Sequence, residues 1–487
     1  MVAQNRKEKI FQMHAEVCKS FSGPTRLKVL DFLRGGEMNK GGRFLPVLLL
    51  LLLFPFTFSA SSANKWWNEN WTYRVELTFR AKEGLSGKDI PVVITAEKLY
   101  KKIGIKDLNL YSLRVINAEG AEVPLQIDEK DGTGEYQKDP NGKWDRDDEV
   151  VFSADIDKDK ETVYWLYFRK AFSPLPEYPG GITAERIVPD RDRPYDLELT
   201  NGDLTIGIRG KSTVKDPLKG VGQGRITMIN RKEKKFFRPQ GAYANNFMSS
   251  GYGSLPWKLP EMIKDGPVRA IVRVETDETE AHLSLSGRSA KFAGKVSREI
   301  ILYRRQPFVE VKETIRVKKA REETYRMIFL FPLLPSGTAR EWDKEEMLVP
   351  VGKKVVRVRM EDKRMYNKTN PERGWIAFAN PEEKTGMAVF FQEKNASVSA
   401  GLYQSSDERY RKKIEEEKVA WFRKWLPAYL AVDYREKIFD GSILRHRFGA
   451  FILSGEKPEV IPVIYDLLWG NGVTKCLSFG FPQEHKE

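Results

Sequence analysis

Apolar residues recur with a period of two in many short segments from residue 72 onward, and this pattern limits the chain to a strand-based fold. Successive side chains of a β-strand point to opposite faces, so such a segment buries one face and leaves the other in water. The clearest case spans residues 72–80, where four side chains share the apolar face: Tyr73, Val75, Leu77 and Phe79. The pattern predicts a mainly β protein built from sandwiches.

Other segments carry the same signal, and two of them flank an Asn201-Gly202 pair, which is typical of a tight hairpin. Two helices are expected. Residues 406–424 form one with a thin apolar face, and residues 458–468 form a short one, although Pro462 would remove a backbone donor inside it. The further predicted strands are residues 90–96, 150–154, 163–168, 268–274, 296–302, 309–317, 376–379, 387–391, 429–434 and 448–453.

Residues 173–193 are rich in Pro, Gly and charged side chains, a composition typical of a surface connection. This segment predicts a linker between two domains. The first is an amino-terminal β-sandwich, residues 64–172, and the second is a large β-supersandwich domain, residues 194–487.

A leader precedes the strand-rich part. A basic stretch begins at Met38, residues 44–58 are apolar, and Ser61 and Ala63 fit a cleavage site. The pattern predicts a signal peptide, residues 38–63, and a secreted or cell-surface product. The alternative is a retained anchor, although this apolar run is short for a membrane span of roughly 20 residues. In both cases the part from residue 64 onward lies outside the cytoplasm.

The first 37 residues have a different character. Residues 8–37 show helical spacing and resemble the opening helices of an ArsR-type winged-helix repressor. No recognition helix or wing follows before the apolar run, so nucleic-acid binding is not expected. We interpret residues 1–37 as the product of a start assigned too early, with Met38 as the true first residue.

The chain carries 82 Lys and Arg against 68 Asp and Glu, a net charge of +14. These charges are scattered, which favours a solvated surface over a nucleic-acid stripe, although such a net charge attracts acidic polysaccharide. The charge-rich composition is typical of heat-adapted proteins. Only Cys18 and Cys476 occur, and loss of the leader would remove the first, so no internal disulfide is expected.

Several motifs give a resemblance at the level of the fold. Residues 122–132, 147–154 and 164–168 are similar to the start of secreted proteins of the exo-rhamnogalacturonan-lyase type. Residues 265–275 resemble the large β-supersandwich of those enzymes and of galactose-mutarotase-like domains. The resemblance covers residues 70–455 and implies the fold more than an activity, because none of these motifs is a catalytic signature.

The loop at residues 241–257 combines aromatic rings, amides and glycines, a mixture typical of a small-ligand site. Rings stack on sugar faces and amides bind hydroxyl groups, and Tyr252 is a candidate catalytic acid or base. The alternative is a crossover loop whose rings cover the edge of the core. The candidate substrate-binding residues are Tyr243, Asn245, Asn246 and Trp257.

Arg445 and His446 are the other candidate catalytic residues. In a lyase that acts on an acidic sugar, an Arg offsets the substrate carboxylate while a His transfers a proton. Strand alternation places His446 on the face opposite Arg445 and Arg447, so the three cannot share one cleft. The alternative is that His446 is structural.

An acidic run at residues 128–148, with the adjoining Glu149, raises the question of a metal. The EF-hand register fails, because Lys143 and Val150 take ligand positions when Asp139 is first. Two interpretations of the run stay open, a solvated acidic turn and an irregular calcium loop. The sequence contains no zinc or dinucleotide motif. We expect no cofactor. The oxygen-bearing residues are Asp139, Asn141, Asp145, Asp147, Asp148 and Glu149.

The sequence therefore predicts a secreted carbohydrate-active protein, either a polysaccharide lyase or a glycoside hydrolase acting on acidic or complex glycans. The alternative is a non-catalytic glycan-binding or structural cell-envelope protein. The expected partner is carbohydrate, with membrane contact only through the leader, and only if the leader is not cleaved. Hydrolysis needs two carboxylates about 5–10 Å apart, and the candidates are Glu261, Glu299, Glu310 and Glu313.

Overall fold

The computed structural model describes residues 66–80, 86–104, 108–142, 145–157, 160–190, 193, 195–211, 224–232, 234–237, 255–278, 292–320, 324–333, 346–352, 354–359, 371, 373–392, 396–402, 428–469 and 477–485. The stretch Trp66–Glu487 forms one compact unit. The predicted signal peptide, the winged-helix-like residues 8–37 and the predicted helix at 406–424 lie outside the described residues. None of the described helices has the length and apolar content required to cross a membrane.

The described part is mainly β, as predicted. Its first seven strands form two antiparallel sheets, ordered β1-β7-β3-β4 and β2-β6-β5. Their apolar faces share one core, which includes Leu77, Val92, Phe152 and Leu166. The strands are β1 (Tyr73–Arg80), β2 (Gly87–Thr95), β3 (Arg114–Asn117), β4 (Glu122–Val123), β5 (Leu125–Asp128), β6 (Glu149–Ile156) and β7 (Glu161–Phe168).

A five-stranded antiparallel sheet follows, with the order β12-β11-β10-β9-β8. The predicted Asn201-Gly202 hairpin joins two of its strands. Gly202 has a φ of 87°, a conformation that suits glycine because it lacks a Cβ atom. The strands are β8 (Thr183–Arg186), β9 (Leu197–Thr200), β10 (Leu204–Arg209), β11 (Arg225–Arg231) and β12 (Lys234–Phe237).

The remaining strands build a nine-stranded sheet, β13-β14-β15-β16-β24-β21-β20-β18-β19, and a three-stranded sheet, β17-β23-β22. The last two strands pair with β1. These strands are β13 (Glu261–Asp265), β14 (Arg269–Glu275), β15 (Phe292–Tyr303), β16 (Phe308–Ala320), β17 (Thr324–Leu333), β18 (Glu346–Val351), β19 (Lys354–Arg359), β20 (Trp375–Asn380), β21 (Thr385–Phe391), β22 (Ala396–Leu402), β23 (Ala428–Lys437), β24 (Ile443–Ser454), β25 (Leu477–Phe479) and β26 (Gln483–Glu484).

The nine-stranded sheet has two buried faces. Its inner face shares the largest core with the five-stranded sheet and with β23, through residues such as Ile206, Val311 and Val432. Its outer face packs against Tyr136 of the first sandwich and against the carboxyl-terminal helical segment that contains Trp469. These two faces set the positions of the polar clusters described below.

Two features differ from the sequence prediction or add to it. Helix α1 (Ala96–Ile103) follows β2, where Thr95 caps its first turn and Gly104 ends it with a φ of 73°. Strand β8 lies inside the predicted linker and pairs with β9, so that linker is partly sheet. Residues 458–469 are helical, as predicted, through a 3-10 turn, helix α2 (Ile461–Ile464) and a π turn.

The domain boundaries stay a prediction. The pairing of β25 and β26 with β1 nevertheless brings the last described residues back to the first sandwich sheet. Leu467 of the π turn also belongs to the core of that sandwich. The carboxyl-terminal segment therefore contributes to the packing of both β regions.

Candidate functional site

A row of three ionisable side chains crosses the inner face of the nine-stranded sheet. Arg298 in β15 lies directly opposite Glu313 in β16, and Glu313 lies directly opposite His446 in β24. Each residue is at most 2% exposed. Their neighbours on the same face are apolar residues of the largest core. Charged groups in such a place cost free energy unless they are paired, so their presence suggests a function.

Arg298 is fixed from three sides. Its Nε lies 2.7 Å from Glu313 Oε2, and its Nη1 donates to the carbonyl of Gly224 at 2.6 Å. The guanidinium lies over the ring of Trp257, 4.9 Å from the ring centroid. Gly224 allows this arrangement, because a Cβ atom there would come within 2.3 Å of the Trp257 ring.

His446 lies between two carboxylates. Its Nδ1 is 3.6 Å from Glu313 Oε1, and its Nε2 is 3.9 Å from Glu436 Oε1 in β23. The ring of Tyr434 packs on the imidazole with 4.9 Å between centroids. The Glu436 side chain is 25% exposed, whereas the Glu313 side chain is fully buried. Both imidazole nitrogens are buried, but the carboxylate beside Nδ1 is enclosed whereas the carboxylate beside Nε2 is partly exposed.

We call these six residues and Arg225 the inner-face cluster: Arg225, Trp257, Arg298, Glu313, Tyr434, Glu436 and His446. Burial raises the pKa of Glu313, but the charge of Arg298, the nearby His446 and the hydrogen bond from Arg298 more than offset it, so the pKa is lowered overall. Glu313 is thus a carboxylate at neutral pH.

Arg225, the first residue of β11, is 7% exposed. Burial and the like charge of Arg298 lower its pKa to about 9, and the charge of Glu313 only partly opposes them. An anion that approaches an arginine in this situation binds favourably, because it stabilises the charged form of the guanidinium. The cluster thus joins a carboxylate–imidazole pair to guanidinium groups.

This arrangement can perform acid–base chemistry. A buried carboxylate next to Nδ1 favours a proton on that nitrogen, which leaves Nε2 as the basic atom. Arg298 holds the carboxylate in position, and Tyr434 limits the rotation of the ring. Among the described residues, no group of three or more His, Cys, Asp or Glu side chains could hold a metal ion.

A second polar cluster lies on the outer face of the nine-stranded sheet, where the first sandwich contacts it. Arg269 of β14 approaches Asp128 Oδ2 at 2.7 Å and Glu149 Oε2 at 2.5 Å. Burial raises the pKa of Glu149, but the charges of Lys312, Arg269 and Lys130 hold it well below its ordinary value. Each charged side chain of this outer-face cluster therefore lies next to one of opposite charge.

The same compensation continues along the outer face. Glu310 accepts a hydrogen bond from Arg447 Nε at 2.7 Å and another from the Tyr303 hydroxyl at 2.8 Å. Burial raises the pKa of Glu310, but Arg447 and Lys312 lower it to about 2. We interpret this outer-face network as a structural link between the first sandwich and the main sheet.

The predicted site residues fall into three groups. His446 and Trp257 belong to the inner-face cluster, joined through Glu313 and Arg298. Arg445 lies on the opposite face, as alternation requires, and its Nη2 donates to the Thr133 carbonyl at 2.7 Å. The structure therefore does not bring Arg445 together with His446. The remaining candidates lie outside the described residues: Tyr243, Asn245, Asn246 and Tyr252.

The acidic run does not form a described metal site. Asp148 accepts hydrogen bonds from the backbone amides of Lys130 and Asp145, at 2.8 Å each. Glu149 pairs with Arg269 and Lys130. The hydrogen-bonding capacity of these carboxylates is thus directed toward the protein itself.

The sequence prediction did not include Arg225, Arg298 or Glu436 and considered Glu313 only for hydrolysis. A signal for two of them was present. Arg298 lies between Val296 and Ile300 on the apolar face of β15, and Glu313 occupies the same kind of position in β16. A charge in the middle of a buried face points to a paired group or a site.

No protein-family model matches the chain, and no curated protein matches it. The solved structures that are similar to it at the level of the chain trace include the following three. An α-mannosidase from Enterococcus faecalis V583 has 12% identity and a TM-score of 0.45, covering 85% of this chain and 47% of that one. The chain thus spans about half the length of that protein.

The other two structures match a smaller part of the chain. An α-N-acetylgalactosaminidase from Bifidobacterium bifidum has 10% identity and a TM-score of 0.35, covering 55% of this chain and 38% of that one. A galactose mutarotase related enzyme from Lactobacillus acidophilus has 8% identity and a TM-score of 0.32, covering 53% of this chain and 98% of that one. At these values the similarities establish neither a family nor an activity.

Proposed function

We propose that the chain is an exported carbohydrate-active enzyme, a polysaccharide lyase that acts on acidic glycans at the inner-face cluster. The contact between Glu313 and Nδ1 of His446 carries the proposal, because it orients the imidazole and leaves Nε2 basic on the side of Glu436. The guanidinium groups of Arg225 and Arg298 supply the positive charge that an acidic sugar requires.

The reaction is a β-elimination. Nε2 of His446 removes the proton on the carbon next to the sugar carboxylate. The electron pair of that C–H bond forms a carbon–carbon double bond, and the bond to the glycosidic oxygen breaks with its electrons on that oxygen. Water protonates the departing oxygen. Arg225 stabilises the negative charge that develops on the carboxylate in the transition state, and Trp257 holds Arg298 in place.

Hydrolysis is the less suitable chemistry for this cluster. A glycosidase needs one protonated and one ionised carboxyl group on either side of the sugar. Glu313 and Glu436 instead flank the imidazole of His446, so the ring occupies the space between them. The lowered pKa of Glu313 also makes it a poor proton donor.

The proposed location is outside the cytoplasm. It is supported by the leader at residues 38–63 and by the net charge of +14, which favours contact with acidic polymers. Expression with the leader, followed by amino-terminal sequencing of the exported product, tests this part. A product that begins near residue 64 is expected, and a chain retained in the cytosol from Met1 would contradict it.

The decisive assay incubates the purified protein with polygalacturonate and follows two signals. Lyase action produces unsaturated sugars that absorb in the ultraviolet together with new reducing ends. Hydrolase action produces reducing ends without the absorbance. Binding without either signal would support the alternative of a non-catalytic glycan-binding protein, and the absence of all three signals would contradict a role on this acidic polymer.

A further inference from the structure

The outer face of the sheet formed by β1, β7 and β3 carries a layer of aromatic rings. An outward sheet face in an antiparallel sandwich is commonly polar and solvated, so such a layer needs an explanation. The segment before β1 folds back over this face, because Trp66 Nε1 donates to the Trp71 carbonyl and Trp71 Nε1 donates to the Ser112 carbonyl. We call it the outer tryptophan surface: Trp66, Trp67, Trp71, Trp165 and Tyr167.

Guanidinium groups are interleaved with these rings. The Arg74 guanidinium lies between Trp66 and Trp165, at 4.6 and 4.2 Å from the ring centroids. Two further guanidinium groups, those of Arg114 and Arg169, lie over Trp71 at 5.2 and 5.1 Å. Arg74 and Arg114 are buried, whereas Arg169 is partly exposed, so these cation–π contacts place one guanidinium group beside the rings at the surface.

Some rings of this layer are buried and contribute to packing, whereas others remain partly exposed. Trp71 and Tyr167 are buried, and they fill the space under the folded-back segment. Trp67 and Trp165 are only half-buried. Within the described part of the chain, no group accepts a hydrogen bond from Nε1 of either ring. Two partly exposed indoles with available donors remain at the surface.

The charges around the rings favour an anionic ligand. Three guanidinium groups contact the aromatic layer, two buried and that of Arg169 partly exposed, whereas Glu122 and Glu76 are the carboxylates that the described contacts place beside them. Glu122 pairs with Arg114 at 3.4 Å and accepts a hydrogen bond from the Tyr178 hydroxyl at 2.5 Å. The net charge of the whole chain, +14, has the same sign. Rings for stacking and cations for carboxylates are the groups that a uronate polymer would use.

We propose that the outer tryptophan surface binds an acidic polysaccharide at a place separate from the inner-face cluster. Sugar rings stack on Trp67 and Trp165, hydroxyl groups accept hydrogen bonds from the indole N–H groups, and Arg169 pairs with sugar carboxylates. The surface holds the polymer and performs no chemistry. It does not depend on the proposed lyase activity, because binding and elimination use different residues.

Affinity electrophoresis of the full chain in gels that contain polygalacturonate tests the proposal, with a gel that contains neutral dextran for comparison. Wild type should be retarded by polygalacturonate and much less by dextran. Trp165→Ala and Trp67→Ala should each weaken the apparent affinity about tenfold, because each removes a large stacking ring. Arg169→Gln should reduce retardation by polygalacturonate and make it less sensitive to salt.

Phe439→Ala is the matched control, because Phe439 is an aromatic residue that is 69% exposed and belongs to a different part of the chain. It should bind as wild type does. Folding is checked by thermal unfolding, and Trp165→Phe serves if the alanine variant unfolds. Wild-type binding by folded Trp67→Ala, Trp165→Phe and Arg169→Gln variants would overturn the proposal. Equal retardation by dextran would also overturn it, and His446→Ala should retain binding whether or not the protein is a lyase.

Discussion

Glu313→Gln separates a catalytic role of the inner-face cluster from a structural one. The substitution keeps the shape of the side chain and removes its charge. In the structure Glu313 approaches Arg298 through Oε2 at 2.7 Å and His446 through Oε1 at 3.6 Å. Without the carboxylate, the tautomer with its proton on Nδ1 loses its charged partner, so Nε2 is less often the nitrogen that is free to accept a proton from the sugar. The turnover rate should fall by a factor on the order of 10² to 10⁴, the range for loss of general-base function.

The cost in stability is expected to be smaller. The glutamine oxygen can still accept the hydrogen bond from Arg298, but the bond changes from one between charges to one with a neutral acceptor. That change corresponds to about 1–2 kcal/mol of unfolding free energy. Urea unfolding measures this loss, and ultraviolet absorbance of unsaturated product gives the rate.

Glu310→Gln is the matched control. Glu310 is on the same strand, equally buried at 1% exposure and paired with Arg447 at 2.7 Å, but it faces the opposite side of the sheet. Its variant should lose a similar amount of stability and keep most of the activity per folded molecule. If Glu313→Gln destabilises the protein but retains the wild-type rate, the reasoning about His446 is refuted.

Three further predictions concern the framework. Arg269→Leu should destabilise the protein by about 3–5 kcal/mol in urea unfolding, because two buried carboxylates lose their partner; an unchanged midpoint would contradict the outer-face network as a link. Gly224→Ala should cost about 1–3 kcal/mol by the same measurement, since its φ is 67° and the new methyl would meet Trp257. Acid should also destabilise the fold: Glu310 has a pKa of about 2 against an ordinary 4.5, so its contribution is full above pH 4.5 and is lost as the pH falls toward 2. Thermal unfolding at several pH values measures this loss, and Glu310→Gln should show a shallower dependence.

Much of the sheet structure could be predicted from the sequence, because a strand with one buried face records its geometry in its own residues. Residues 72–80 and the Asn201-Gly202 turn are examples. Helix α1 was missed even though Thr95 and Gly104 provide its start and stop signals. The apolar run before it extends through β2, and an eight-residue helix offers little periodicity of its own.

The site was less accessible to sequence reasoning, because it depends on register. Arg298, Glu313 and His446 are far apart in the chain and become neighbours only through the pairing of β15 with β16 and of β16 with β24. A shift by one residue in either pairing would place these side chains on different faces. Alternation correctly separated His446 from Arg445 but could not show which other side chains share its face.

The most direct test of the account compares two variants at adjacent positions of β24, His446→Ala and Arg445→Ala. They lie on opposite faces of the same sheet, and only His446 belongs to the inner-face cluster. The rate of formation of unsaturated product from polygalacturonate should fall by at least about 10²-fold in His446→Ala and remain near the wild-type rate in Arg445→Ala. Equal rates for the two variants, or a loss confined to Arg445→Ala, would contradict the account.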